Sequence, residues 1–225
     1  MTESQQMKGQ SQKHGFNFEN EIKTKVFGLQ PTSNDTDTHD VNCGLNKYDN
    51  NENVSIKISG GNNIDCADII RFYSYDFSQK NTIIAGFYTQ ITSTEKKITS
   101  IIELDYNEKL HNILFGGITL DELNEYVNLV KSIPHGKNTD KTYLQLKKNL
   151  QKKYNMRINI SPKVDSSTQR RVQCSIPKIT ELIEEYPEFI INRITCGPFI
   201  VRGNQITDTF ESAPRLRKKQ VKLGN

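Results

Sequence analysis

The stretch NVSIKIS alternates strictly between apolar and polar side chains over residues 53–59. A period of two is the spacing of side chains on the two faces of a β-strand. Val54, Ile56 and Ile58 would then share the face that meets the core. Ser55 and Lys57 would share the opposite face, toward solvent. We therefore predict a half-buried strand, which requires neighbouring strands and a layer that covers its apolar face.

The other periodic segments indicate both helices and strands. Residues 15–29 carry Phe18, Ile22, Val26 and Leu29 at helical spacing, as in an amphipathic helix. The order of segments predicts the α/β (α+β) class. The further candidates are strands at 81–92, 96–106, 156–164 and 194–203, a short strand that ends near 176, and helices at 64–76, 120–133, 140–155 and 176–186.

Length and hydropathy limit the possible classes of protein. With 225 residues and a mean hydropathy of −0.66, the chain is expected to form one main domain. We expect a polar arm at 1–14, a domain at 15–203 and a basic tail at 204–225. Within the domain, we expect two parts, 15–116 and 117–203. No apolar run approaches the roughly 18 residues of a membrane helix, and the N-terminal residues lack the apolar segment of a secretory signal, so a cytoplasmic protein is expected.

The cysteines and histidines argue against two kinds of site. The four cysteines are far apart and form no C-x-x-C pair, and the four histidines are equally scattered. Zinc sites and disulfide frameworks need closer or more regular spacing. We therefore predict free thiols and no metal site built from histidines.

The charge is distributed unevenly along the chain. Residues 131–171 contain eleven lysines and arginines against two aspartates, although the whole chain carries only +4. The rest of the chain is therefore acidic. A basic half joined to an acidic half is typical of a protein with a surface for a polyanion and a site that contains carboxylates.

Three ionisable residues form a candidate site in the acidic half. A hairpin through residues 44–51 would bring Asp40, on a short strand candidate, beside Lys57 on the next strand. Glu19 lies at the border of the buried face of the first helix. Carboxylates hold Mg²⁺, which stabilises charge on a phosphodiester under attack and lowers the pKa of the attacking water. The lysine orients or deprotonates that water, or neutralises the phosphate. This set predicts phosphodiester cleavage.

The same residues resemble a known family. Gly15, Phe18 and Glu19 on the first helix, Asp40 at a strand start and Ser55-Ile56-Lys57 on the next strand resemble the PD-(D/E)xK nuclease superfamily. The small type II restriction endonucleases are the most similar subgroup, and the resemblance covers residues 15–106.

The resemblance implies a fold, a reaction and roles for these residues. The fold would be restriction-endonuclease-like, with a central mixed β-sheet flanked by helices. The reaction would be Mg²⁺-dependent cleavage of double-stranded DNA at a short specific sequence, which leaves 5′-phosphate ends. The Ile56 carbonyl would be a metal ligand, and the chain could act as a homodimer on a palindrome. The implied catalytic residues are Asp40, which also bridges the metal, Lys57, Glu19 and the residue at position 55.

Ser55 departs from the family pattern, because an acid usually occupies its position. His39 likewise precedes Asp40 where the family has proline. Members with serine take an acid from the following helix instead. Asp68 is the preferred substitute ligand and Asp65 the second choice, because the two would share one face of a helix. Both acids are equally compatible with a role at the helix N-terminus.

Two sets of residues are candidates for DNA contact. Arginine and glutamine side chains can bond base edges, and the candidates with these side chains are Gln169, Arg170, Arg171 and Gln173. A solvated loop with phosphate contacts is an equal alternative for them. The candidates for backbone contact are Lys147, Lys148, Lys152 and Lys153.

Three other functions remain open from the sequence. The chain could be a DNA-binding module of the same fold that has lost catalysis. It could be a repair or structure-specific nuclease without sequence reading, or an interaction protein with no nucleic-acid role. Nucleotide hydrolysis and dinucleotide binding lack support, because neither a P-loop nor a strand-linked G-x-G-x-x-G is present.

Overall fold

The computed structural model describes residues 13–30, 38–134, 141–164 and 172–211. Two short 3₁₀ turns, Cys43–Leu45 and Pro187–Phe189, connect larger elements. The α-helices are α1 (Lys13–Glu21), α2 (Ile69–Tyr73), α3 (Glu108–Phe115), α4 (Leu120–Ser132), α5 (Thr142–Lys153) and α6 (Ile179–Glu185). The strands are β1 (Glu52–Ser59), β2 (Asn63–Asp68), β3 (Lys80–Gln90), β4 (Glu95–Asp105), β5 (Asn159–Pro162), β6 (Val172–Pro177), β7 (Ile190–Ile194), β8 (Phe199–Val201), β9 (Asn204–Ile206) and β10 (Thr209–Glu211).

A mixed central sheet flanked by helices confirms the expected α/β class. β1 pairs with β3 in parallel, and β3 pairs with β4 in antiparallel orientation. β10 and β7 pair with the beginning and the end of β4, respectively. The order β1-β3-β4 leaves β1 at an edge, beyond which the chain adds a single antiparallel bridge between Val41 and Val54. The outer edge of β1 therefore lies beside residues 39–41.

Helix α1 covers one face of the central sheet. It continues through π-helical turns at Ile22–Phe27 and ends at Gly28, whose φ of +74° suits a residue without a side chain. Phe18, Ile22 and Val26 are buried against Val54, Ile56 and Ile84. The Phe18 ring lies so close to Gly86 that a Cβ there would come within 2.7 Å of it. The amphipathic pattern therefore predicted the buried face of this helix correctly.

The opposite face of the sheet is covered as well. Ile83 and Ala85 on β3 belong to a larger cluster with Phe72, Tyr75 and Tyr106, and helices α3 and α4 contribute to it. Ser55 and Lys57 lie on this face, beside Ile83 and Ala85 in the parallel register. The prediction that Ser55 faces solvent was therefore wrong, since only 2% of its surface is exposed. The segment from Asn63 to Tyr75 covers this part of β1.

A second sheet has the order β2-β6-β5, with both pairs antiparallel. The sequence predicted a helix from residue 64, but residues 63–68 form a strand and the helix begins only at Ile69. Ile64 and Cys66 are buried while Asn63 and Asp65 are exposed, which is the alternation of a strand. Asp68 then starts the helix as its N-cap, accepting bonds from the amides of Ile70 and Arg71. Asp65 and Asp68 are therefore not on one face of a helix.

Helix α4 follows its predicted limits closely. Thr119 is its N-cap and forms a reciprocal capping box with Glu122, and the helix ends just before Pro134.

The β8–β9 hairpin turns at Arg202 and Gly203, both at positive φ. Among the residues that the structure describes, no helix combines the length and apolar character needed to cross a membrane.

Candidate functional site

Asp40 and Lys57 form the centre of the candidate site. Asp40 Oδ2 accepts a hydrogen bond from Lys57 Nζ at 3.0 Å and another from the Ile56 amide at 2.6 Å. Both side chains are partly exposed, Asp40 by 18% and Lys57 by 29%. Burial acts to lower the pKa of Lys57, but the charge of Asp40 and its hydrogen bond outweigh it and raise that pKa. The hairpin expected from the sequence thus brings these two residues together.

The edge of β1 positions the backbone of this site. Val54 exchanges both of its backbone hydrogen bonds with Val41, so its amide and carbonyl point away from β3. Ile56 lies two residues later and donates its amide to Asp40 on the same edge. In an extended strand, the amide and carbonyl of one residue point to the same side. The Ile56 carbonyl is therefore directed toward the Asp40 side, as the resemblance implies.

Glu19 belongs to the same electrostatic neighbourhood. Its carboxylate pairs with the buried Lys23 at 3.0 Å, one helical turn away. Burial and the negative charge of Asp40 raise the pKa of Glu19, while Lys23 and Lys57 act in the opposite direction. Glu19 and Asp40 therefore repel each other, and a cation between them would relieve that repulsion.

Ser55 takes part in a buried hydrogen-bond network. Its hydroxyl lies 3.0 Å from the Tyr75 hydroxyl and 3.5 Å from His39 Nδ1. The His39 and Tyr75 rings pack edge to face at 4.4 Å. Burial raises the pKa of Tyr75 to about 12, and burial together with Lys57 lowers that of His39 against the effect of Asp40. Ser55 is thus a partner of Tyr75 rather than an open ligand position.

The two acids proposed to replace the missing ligand are engaged elsewhere. Asp68 Oδ1 caps α2 through the amides of Ile70 and Arg71, at 3.1 Å each. Asp65 Oδ1 accepts the Ala67 amide at 2.9 Å in a local turn. Asp40, in contrast, acts on the pKa of both Lys57 and Glu19. Asp40 therefore contacts Lys57 directly and Glu19 interacts with both through their charges, whereas Asp65 and Asp68 bond the backbone of their own strand and helix.

The donor set fits a hard cation held by few protein ligands. Within the described residues, no group of three or more His, Cys, Asp or Glu could hold a metal ion. Mg²⁺ does not need such a group, because it commonly binds through one or two carboxylates and keeps waters or phosphate oxygens for its other positions. Asp40, Glu19 and the Ile56 carbonyl carry oxygen atoms of the kind that such an ion binds.

The candidates for DNA contact lie partly outside the described residues. Gln169, Arg170 and Arg171 fall in the undescribed range 165–171. Gln173 lies on β6, between Asp68 on β2 and Ser161 on β5.

The lysines of α5 have different surroundings. Lys147 Nζ lies 3.5 Å from Asn159 Oδ1, and burial and the charge of Lys148 lower its pKa. Lys153 pairs with Glu122 at 3.1 Å. Lys148 and Lys152 are exposed on the same helix.

Sequence reasoning missed three residues around the site. His39 was noted only as the residue in place of the family proline, yet it contacts both Ser55 and Tyr75. Tyr75 gave no signal, because nothing in the sequence places it against β1. Lys23, two percent exposed, could have been found from its position one turn after Glu19.

No family model, curated protein or solved structure matches this chain.

Proposed function

We propose that this protein is a Mg²⁺-dependent endonuclease of the type II restriction kind, with a restriction-endonuclease-like fold. It would cleave double-stranded DNA at a short specific sequence and leave 5′-phosphate ends. The observation that carries the proposal is the Asp40 carboxylate at the free edge of β1, bonded to Lys57 Nζ and to the Ile56 amide. Glu19, on a helix that precedes Asp40 and Lys57 in the chain, accompanies it in the order that the resemblance implies.

Asp40, Glu19 and the Ile56 carbonyl are the groups that would hold Mg²⁺. When bound, this ion supplies positive charge to the scissile phosphate and lowers the pKa of a coordinated water. The Asp40 carboxylate also fixes the Lys57 ammonium through the bond at 3.0 Å. Lys57 therefore places a positive charge where a phosphate oxygen or the attacking water is bound, and it orients that group.

The other residues near the site support this arrangement. Ser55 and Tyr75 fill the space behind β1 and hold His39 beside Asp40. Ser55 is thereby assigned to packing and hydrogen bonding, although it occupies the position of the usual second acid. Asp68, and after it Asp65, remain the proposed sources of a further carboxylate, which would have to leave its present backbone contacts.

The decisive test is cleavage of DNA of known sequence with and without Mg²⁺, followed by sequencing of the ends. We expect discrete fragments with 5′-phosphates, and none with a chelator. Lys57→Ala should retain DNA binding but cleave at least about 100-fold more slowly, because a preorganised charge at the reacting phosphate is lost. Lys109→Ala, which removes an exposed lysine paired with Glu188, is the matched control. Equal nicking by Lys57→Ala and the parent would overturn the assignment.

A second candidate function is a DNA-binding module of the same fold without catalysis. It is favoured by the buried serine at position 55 and by the lack, among described residues, of a group of three metal-binding side chains. Salt-dependent DNA binding without any metal-dependent cleavage would select this function. A smear of fragments instead of discrete bands would indicate a nuclease that does not read sequence.

A further inference from the structure

The second sheet presents two rows of polar side chains across its three strands. One row runs from Asp68 through Gln173 to Ser161, and the other from Asp65 through Ser175 to Asn159. The intervening positions are buried in the core, where Ile64, Ile160, Cys174 and Ile176 belong to the larger hydrophobic cluster. The opposite face therefore carries amides, hydroxyls and carboxylates, with no apolar side chain in either row, and Ser175 at the centre of its row is only 8% exposed.

Negative and positive side chains lie at opposite edges of this face. Its two aspartates lie on β2, at one edge. Lys147 lies at the other edge, where its ammonium approaches Asn159 on β5. Lys148 is close enough to Lys147 to oppose its protonation, and burial acts in the same direction. A polyanion would relieve this repulsion at the β5 edge and would be repelled from the β2 edge.

The side-chain amides between these two edges make few and long hydrogen bonds. Asn159 makes its side-chain contacts to Lys147, Ser161 and Ser175 at the limiting distance of 3.5 Å. The Gln173 side chain is partly exposed and has no side-chain hydrogen bond to another described residue. Both amides can exchange these contacts for stronger ones, and each offers a donor and an acceptor side by side.

We propose that this face of β5 and β6, with Lys147 and Lys148, is the surface that reads the DNA sequence. Asn159 and Gln173 bond base edges in the major groove, and the two lysines hold the flanking phosphates. β5 and β6 form a two-stranded ribbon with strand axes about 5 Å apart, and the major groove, about 12 Å wide, admits such a ribbon. The aspartates on β2 fix the orientation, because they exclude phosphate from that edge. This inference rests on the proposed endonuclease function and assigns its sequence selection.

The experiment compares base preference and binding in full-length variants. Cleavage of a randomised DNA library by Gln173→Ala and by Asn159→Ala is sequenced beside the parent. We expect discrimination at one or two positions of the site to fall by roughly 5- to 150-fold, the effect of losing one bidentate base contact. Gln90→Ala, an exposed amide at the end of β3, is the control and should keep the parent preference.

Binding is measured separately, without divalent cation and at several salt concentrations. Lys147→Ala and Lys148→Ala should each reduce the slope of log affinity against log salt by about 1, uniformly across sequences. Lys109→Ala should leave the slope unchanged. Circular dichroism of each variant checks that it remains folded.

The outcomes separate this inference from the proposed function. Sequence-specific cleavage by the parent, with unchanged preference in both amide variants, would overturn the reading surface and leave the endonuclease in place. An equal salt slope in the lysine variants and the parent would also overturn it. A parent protein that neither binds nor cleaves duplex DNA would contradict both proposals.

Discussion

At the scale of single residues, the structure gives Ser55 a different role from the one that the sequence suggested. The serine departs from the acid expected at its position, which raised the question of a missing ligand. Its hydroxyl is buried and lies 3.0 Å from the Tyr75 hydroxyl. A carboxylate at this position would face the same tyrosine in a site with little access to water, where an unpaired charge is costly.

Ser55→Ala tests this hydrogen bond. Removing the hydroxyl leaves that of Tyr75 without its partner, so we expect a loss of about 1–2 kcal/mol in the free energy of unfolding. DNA cleavage at a temperature where the protein stays folded should change less than a few-fold. Urea unfolding of Ser55→Ala, Tyr75→Phe and the double variant gives the coupling energy. If the two single losses add fully, the bond contributes nothing to stability.

Asp68 presents a second question at this scale, since a cap and a metal ligand require different properties. Asparagine caps a helix about as well as aspartate, whereas it lacks the charge that a Mg²⁺ ligand supplies. Asp68→Asn should therefore keep the stability of the parent, and Asp68→Ala should lose about 1 kcal/mol. If Asp68 is the missing ligand, both variants lose Mg²⁺-dependent cleavage; if it is only the cap, Asp68→Asn cleaves normally.

Asp40→Asn completes this comparison. It removes the charge that Lys57 and the proposed Mg²⁺ share, so it should abolish cleavage whichever role Asp68 has. Activity in Asp40→Asn together with inactivity in Asp68→Asn would exchange the two assignments.

At the scale of elements, one arginine connects the β8–β9 hairpin to the central sheet. Arg202, at a φ of +48°, donates two hydrogen bonds to Glu52 on β1, at 2.7 and 2.8 Å, and one to Glu103 on β4 at 2.9 Å. Both acids are almost fully buried, and Thr82, Asn46 and Asn192 complete their bonding. A conformation unusual for arginine is thus maintained by two carboxylates, of which Glu52 also pairs with the exposed Lys80 at 3.3 Å.

Arg202→Ala should therefore be strongly destabilising. It leaves two buried carboxylates without their shared cation, for an expected loss of about 3–5 kcal/mol in the free energy of unfolding. Lys97→Ala is the matched control, because it breaks an exposed ion pair with Asp208 nearby and should change stability by less than about 1 kcal/mol. Urea unfolding at pH 7 measures both; equal effects would contradict the role of burial.

The same network predicts a dependence on pH. Burial acts to raise the pKa of Glu52, but hydrogen bonds from Arg202, Thr82 and Asn46 lower it from 4.5 to about 2. A carboxyl whose pKa is lower in the folded state stabilises the fold above its unfolded pKa and loses that effect as pH falls. The parent should therefore lose about 3 kcal/mol between pH 4.5 and pH 2 through this group. In Arg202→Ala, the free energy of unfolding should therefore depend less on pH between 4.5 and 2.

At the scale of the whole molecule, the second sheet joins the two halves of the chain. β6 comes from residues 172–177 and lies between β2 and β5. The acids Glu19 and Asp40 belong to the first 57 residues, whereas the basic α5 belongs to the segment with eleven cations. The uneven charge seen in the sequence thus appears in one fold that combines a carboxylate site with a basic helix.

Periodicity predicted most of the helices and strands, but it did not predict strand β2. Residues 15–29, 81–92, 96–106 and 120–133 form the predicted helices and strands to within a few residues. β2 was missed because it is short, is interrupted by a bulge at Ala67 with a φ of +60°, and ends in a helix cap. Its partner β6 is about a hundred residues away, and a local pattern contains no information about such a pairing.

The sequence by itself determined the order of Glu19, Asp40 and Lys57, and the parity that places Ser55 and Lys57 on one face of β1. These follow from covalent spacing and from the period of a strand, which no packing changes. Only the tertiary structure decided what lies against that face: Tyr75 and His39 around Ser55, and Asp40 at the edge beside Lys57. Burial is the reason, because it depends on segments distant in sequence, and it decides whether a polar side chain is a ligand or a buried partner.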